Sequence, residues 1–151
     1  MKSKPSVTVP VVIDTNVLVP SLYSETNIYK FISEGNLVLI WNDYIRSEAL
    51  EIIERLSIKN RKYSKSKEKA LKLVELIFYP LNKVDEMPEN WEGSSPDPDD
   101  NPFLFAAEQG GAEYIISSDK RDMLSLGHFK NIPIGRPKDS FDWALIYRPL
   151  E

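Results

Sequence analysis

An α/β sandwich around a central, mainly parallel sheet is the fold class this sequence predicts, and three observations predict it. Val7 to Ile13 is β-branched almost throughout and ends in the polar triplet Asp14-Thr15-Asn16, the pattern of a strand buried on both faces of a parallel sheet. Short apolar runs of this kind alternate with amphipathic stretches of helical length, so neighbouring strands are joined by helical crossovers. The punctuation agrees: Gly35, Asn42, Asp43, Asp100, Asn101 and Gly110-Gly111 stand where helices would start or stop.

Taken in order, the first strand ends at Asp14. After Pro20 and a Tyr23-Ser24 loop, Thr26 to Glu34 carries Ile28, Phe31 and Ile32 at helical spacing and stops at Gly35, a C-terminal cap. Leu37 to Trp41 is the second strand. Asn42 or Asp43 caps the next helix, where Ile45, Ala49, Ile52, Ile53 and Leu56 form one apolar stripe with Glu48 off its centre. Ser64 to Phe78 is a second long helix, basic in its first half, with Ala70, Leu71, Val74 and Ile77 or Phe78 facing inward. Leu81 to Met87 holds a short strand. Pro88 to Pro102, rich in proline, Asp and Ser, has no period and reads as a functional loop. Asp100 or Asn101 caps a helix to Gln109, Tyr114 to Ser117 is a strand with Asp119 just past its end, and Ile132 to Ile134 is the last strand. Pro137 opens a terminal helix through about Ile146. Periodicity leaves the strand order open.

The 151 residues are read as one domain, 1–151, with a core from about 7 to 146. There is no cysteine, which excludes disulfides and thiolate chemistry and makes a reducing cytoplasm the expected location. With a single histidine, His128, any bound metal has to be a hard cation on oxygen ligands, magnesium or manganese. No apolar run approaches the roughly 20 residues of a membrane helix, and no signal peptide is visible. The net charge of −4 argues against coating nucleic acid by bulk electrostatics but is compatible with a local basic groove.

In open α/β sheets functional groups gather beyond the carboxyl ends of the strands, where Asp14 and Asp119 are expected. Asp97, Asp99 and Asp100 precede a helix N-terminus, and Glu48 lies on the helix after the second strand. Two carboxylates about 4 Å apart repel by roughly 4 kcal/mol at a protein-like dielectric, so converging acids make sense around a cation. Such an ion acidifies water and neutralises phosphate charge, which suits phosphodiester hydrolysis. Thr15, Asn16, Ser117 and Ser118 flank the strand-end acids and would orient ligands or waters.

Here a resemblance becomes specific. Val11-Val12-Ile13-Asp14-Thr15-Asn16-Val17-Leu18 resembles the opening motif of PIN-domain nucleases, and Asp97-Pro98-Asp99-Asp100-Asn101-Pro102-Phe103-Leu104 resembles their third acidic motif. Gly111 to Asp119 is similar to the fourth, and Arg136-Pro137-Lys138-Asp139-Ser140-Phe141 to the last helix of a prokaryotic subgroup, so the likeness runs from about Val11 to Phe141. It implies a single PIN-like α/β/α sandwich, metal-coordinating roles for Asp14, Glu48, Asp100 and Asp119, and a supporting role for Asn16. Glu48 is matched through the helix pattern Ile45-Arg46-Ser47-Glu48-Ala49-Leu50, where Glu51 and Glu54 compete with it. Many such proteins are ribonuclease toxins of toxin-antitoxin pairs, which implies RNA as substrate, a small antitoxin protein as partner and a homodimer. Lys120-Arg121-Asp122-Met123 holds one residue more than the family pattern, so no role is carried to Asp122.

Plainer readings stand beside these. Asp97 and Asp99 suit loop solvation and capping better than metal ligation, with Asp99 pointing away and Asp97 at most touching a water of the ion; Asp100 is the chosen ligand. The basic run from Lys59 to Lys72, with Lys62, Lys65 and Lys69, either grips RNA phosphates or is a solvated helix face. His128 reads as a surface histidine, and Trp41, Trp91 and Trp143 as packing residues. Two other functions compete: a phosphoryl-accepting aspartate domain, disfavoured because Asn16 stands where a second aspartate is needed, and a non-catalytic interaction module. Cleavage of DNA or structured nucleic acid would use the same acids.

Overall fold

Val9–Ile13 (β1) lies at the heart of the sheet because its apolar side chains bury both faces, Val11, Val12 and Ile13 being fully enclosed. It pairs in parallel with Leu37–Leu39 (β2) on one side and Tyr114–Ile116 (β3) on the other. Ile132–Gly135 (β5) adds in parallel to β3, and His128–Phe129 (β4) closes that edge antiparallel to β5, in the order β2-β1-β3-β5-β4. The computed structural model describes residues 8–24, 27–92, 97–118 and 123–138. The chain leaves β1 toward β2 but later returns to β1's other side as β3, so the topology switches between the carboxyl ends of β1 and β3. That crevice is where an open α/β sheet admits ligands.

Among the described residues six α-helices frame the sheet: Thr15–Ser24 (α1), Asn27–Ser33 (α2), Asp43–Lys59 (α3), Arg61–Ile77 (α4), Asn101–Gln109 (α5) and Met123–Leu126 (α6). α5 packs on β1, α2 on β2 and α6 on β5, while α3 and α4 lie along one another and α1 packs on both. The arrangement is the expected α/β/α sandwich with a mainly parallel sheet. Asn42 caps α3 by accepting the Ile45 N–H at 3.0 Å, and the Glu86 carboxylate takes the N–H groups of Asp43 and Tyr44. Asn60 alone joins the two long helices, its backbone N–H closing α3 on Leu56 and its side chain capping α4 through the Lys62 N–H.

Three local expectations are corrected. The residues through Tyr23-Ser24 form α1 rather than a loop. A proline inside a helix costs about 3 kcal/mol, but Leu18, Val19 and Leu22 are fully or almost fully buried, at roughly 1.5–3 kcal/mol each, and the burial prevails. α4 begins at Arg61 rather than Ser64, because the Asn60 cap starts it early. Leu81 to Met87 makes a 3-10 turn over Pro80–Asn82 and a single bridge from Lys83 to Trp41 instead of a strand. His128 is at the surface as expected, on a β4–β5 hairpin too short to leave a period in the sequence. Of the terminal helix expected from Pro137 through about Ile146, Pro137 and Lys138 are helical and the remainder lies outside the described residues.

Two glycines are fixed by geometry. Gly35, at φ +81°, ends α2 as expected, with the Asn36 N–H on the Phe31 carbonyl and the Gly35 N–H on that of Ile32. A Cβ on Gly110 would stand 2.5 Å from Cγ2 of Ile40, so α5 meets the residue following β2 only because that side chain is missing.

Candidate active site

Asp14 follows β1 directly and precedes α1, and both placements act on its carboxylate. Its backbone carbonyl accepts the N–H groups of Val17 and Leu18, and its Oδ1 accepts the Asn16 N–H at 3.1 Å, so it occupies the capping position of α1, where the helix dipole favours an anion. Its Oδ2 accepts the Ser117 hydroxyl at 3.0 Å. Asp14 is 5% exposed and Ser117 fully buried, so the ends of β1 and β3 are clasped at the switch point. Asn16, two residues after Asp14, is exposed.

Glu48 reaches the same place from α3. Thr15, buried in the first turn of α1, donates its hydroxyl to Glu48 Oε1, linking the helix after β1 to the helix after β2. Burial raises the Glu48 pKa above the usual glutamate value; the Thr15 hydrogen bond opposes the shift, and the charges of Asp14, Asp99 and Glu51 reinforce it.

The third group comes from the proline-rich loop. Asp97 Oδ1 accepts the Asp99 N–H at 3.0 Å and caps a 3-10 turn over Pro98–Asp100, which runs into α5. Capping is thus done by Asp97, and the Asp100 side chain makes no capping hydrogen bond to α5 although Asp100 stands at its N-cap. Asp97 and Asp100 are half-buried and Asp99 is exposed. The expectation that Asp99 would point away is corrected: all three line the cleft, because the tight turn advances the chain too little to separate them.

Asp14, Asn16, Glu48, Asp97, Asp99 and Asp100 surround a cleft of about 400 Å³. The same acids crowd Tyr44, whose pKa is pushed up to about 12 by burial and then by the charges of Glu48, Asp99, Asp100 and Asp97. Sequence reasoning treated Glu51 only as a competitor of Glu48 and passed over Arg55, yet both line the cleft with Ile52. The signal was present, since spacings of three, four and seven from Glu48 lie on one helical face. Asp119, expected just past β3, lies outside the described residues. Lys62, Lys65 and Lys69 are exposed on α4, away from the cleft lining, and His128 is exposed on β4.

The family model for the PIN domain matches residues 10–121, about three quarters of the chain. The chain belongs to the PIN-domain family. PIN domains are in general nucleases that use divalent metal ions. No curated protein matches the chain. Whether this PIN domain suits such an ion is a question of donor chemistry. Among the described residues no three His, Cys, Asp or Glu stand close enough to enclose a metal by themselves. The cleft nevertheless offers mostly carboxylate oxygen, with Asp14 and Glu48 held by hydroxyl donors. That donor set fits a hard cation which takes one or two carboxylates and keeps waters, as magnesium does.

Proposed function

We propose that this PIN domain is a magnesium- or manganese-dependent endoribonuclease that hydrolyses RNA phosphodiester bonds, and that it is the toxin of a prokaryotic toxin-antitoxin pair. The observation that carries the reading is the convergence of Asp14, Glu48 and Asp100, from three separate elements, on one open cleft at the sheet's switch point. Asp14, Glu48, Asp100 and Asp119 are the residues that would hold the ion. When bound, it supplies charge neutralisation at the phosphate and acidifies water for attack. Ser117 and Thr15 fix the orientation of Asp14 and Glu48, Asn16 presents an amide at the rim, and Asp97 shapes the loop that carries Asp100. In this reading the protein acts in the cytoplasm as a homodimer and is silenced by a small antitoxin that covers the cleft. No helix among the described residues is long and apolar enough to cross a membrane.

The test is a manganese-dependent cleavage assay on mixed RNA and single-stranded DNA, with Asp14→Asn alongside. RNA cleaved internally by the wild type and left intact by the variant is the expected result. Equal turnover by Asp14→Asn would remove Asp14 from the site, and cleavage of DNA alone would reassign the substrate.

A further inference from the structure

Arg55 is the one cation among the described residues that line the cleft, and the ribonuclease reading gives it no role. It is exposed, and none of the ion pairs seen between described residues, Lys67–Glu54, Lys83–Asp43 and Lys130–Glu108, involves it. Seven residues separate it from Glu48, which on a helix means nearly the same face and about 10 Å along the axis. Lys59 continues that face one turn later, and Asn60 then delivers Arg61 and Lys62 into the first turn of α4. These are exposed too. Two cations and no acid in a first turn oppose the helix dipole, so the chain carries unfavourable charge there that an anionic partner would relieve.

We infer that Arg55, Lys59, Arg61 and Lys62 form a phosphate track that carries single-stranded nucleic acid from the acidic cleft along α3 to the α3–α4 turn. The inference rests on the nuclease reading of the cleft for its direction only. Arg55 binds a phosphate beyond the scissile one, and its guanidinium offsets the repulsion that Glu51 and the loop aspartates impose on the backbone. The other three hold the strand farther out. Substrates long enough to reach the turn feel the whole track; a dinucleotide feels at most Arg55.

The experiment measures binding without chemistry. In the Asp14→Asn background, Arg55→Ala, Arg55→Lys and the triple variant Lys59→Ala/Arg61→Ala/Lys62→Ala are titrated by fluorescence anisotropy against a labelled dinucleotide and a labelled 12-nucleotide RNA over a salt series. Removing one phosphate-binding cation should make the slope of log K against log salt less negative by about 0.7. Arg55→Ala should show one such step on the 12-mer and Arg55→Lys should restore the parent slope. The triple variant should change more on the 12-mer and not at all on the dinucleotide. Unchanged slopes, no binding by the Asp14→Asn parent, or an equal weakening toward a poly-glutamate chain of matched charge, as an acidic protein partner would give, would each overturn the track. Failure of the wild type to cleave any nucleic acid while these slopes behave as expected would sink the nuclease reading and leave the track standing.

Discussion

Ser117 donates its hydroxyl to Asp14 across 103 residues of sequence, joining the ends of two adjacent parallel strands at the place where the sheet's connection reverses direction. Because both residues are buried, the bond is made in a low-dielectric setting and fixes the carboxylate before any ligand arrives.

Ser117→Ala is therefore expected to cost roughly 1.5–3 kcal/mol of stability, the usual scale for a hydrogen bond to a charged group. Urea denaturation measures this, and cleavage should fall without disappearing because Asn16 still holds Oδ1. A variant as stable as the wild type would show that the clasp contributes nothing.

Asp14→Asn should leave the metal-free protein folded, since it removes one charge from a crowded cluster. Adding magnesium or manganese at about a hundred times its Kd should stabilise the wild type by roughly 2.7 kcal/mol, a rise of roughly 5–10 °C in Tm, and should leave Asp14→Asn nearly unmoved. Calorimetry with and without the ion decides; an equal rise in both proteins would place the ion elsewhere.

The loop aspartates should divide by position. Asp100→Asn is expected to abolish metal-dependent cleavage and Asp99→Asn, at the more exposed of the two positions, to cost less. Asp97→Asn should fall between, because the amide keeps the cap on Asp99 while losing the charge. Cleavage rates of the three purified variants provide the check, and a dead Asp99→Asn beside an active Asp100→Asn would reverse the assignment.

Glu48 carries a pH signature. A carboxyl whose folded pKa is raised binds its proton more tightly in the native state, so its contribution to stability declines as pH rises from the unfolded value through the folded one. In metal-free protein, Glu48→Gln should thus be the more stable form at about pH 7, with the advantage closing as pH falls below about 4, where Glu48 is protonated in the folded and unfolded chain alike. Tm measured across that range tests it; an advantage that widened in acid would contradict the burial and repulsion assigned to Glu48.

Much of this was legible in the chain itself. Val9–Ile13 announces a doubly buried strand by composition, Gly35 and Asn42 mark helix ends by their own chemistry, and Asp14 and Asp100 stand out as acids at element boundaries. These are local properties, set by backbone preference and by side chains within a few residues. What the sequence could not determine depends on contacts made across the fold. α1 survives Pro20 because distant residues bury Leu18, Val19 and Leu22, and the Lys83 bridge exists only because Trp41 lies beside it. The strand order, the Thr15–Glu48 and Ser117–Asp14 bonds, and the entry of Glu51 and Arg55 into the cleft follow from which helices pack together. Local propensity extends only a few residues along the chain, whereas a site built at a switch point is assembled from segments a hundred residues apart, and only the packing of the sheet brings those segments within bonding distance.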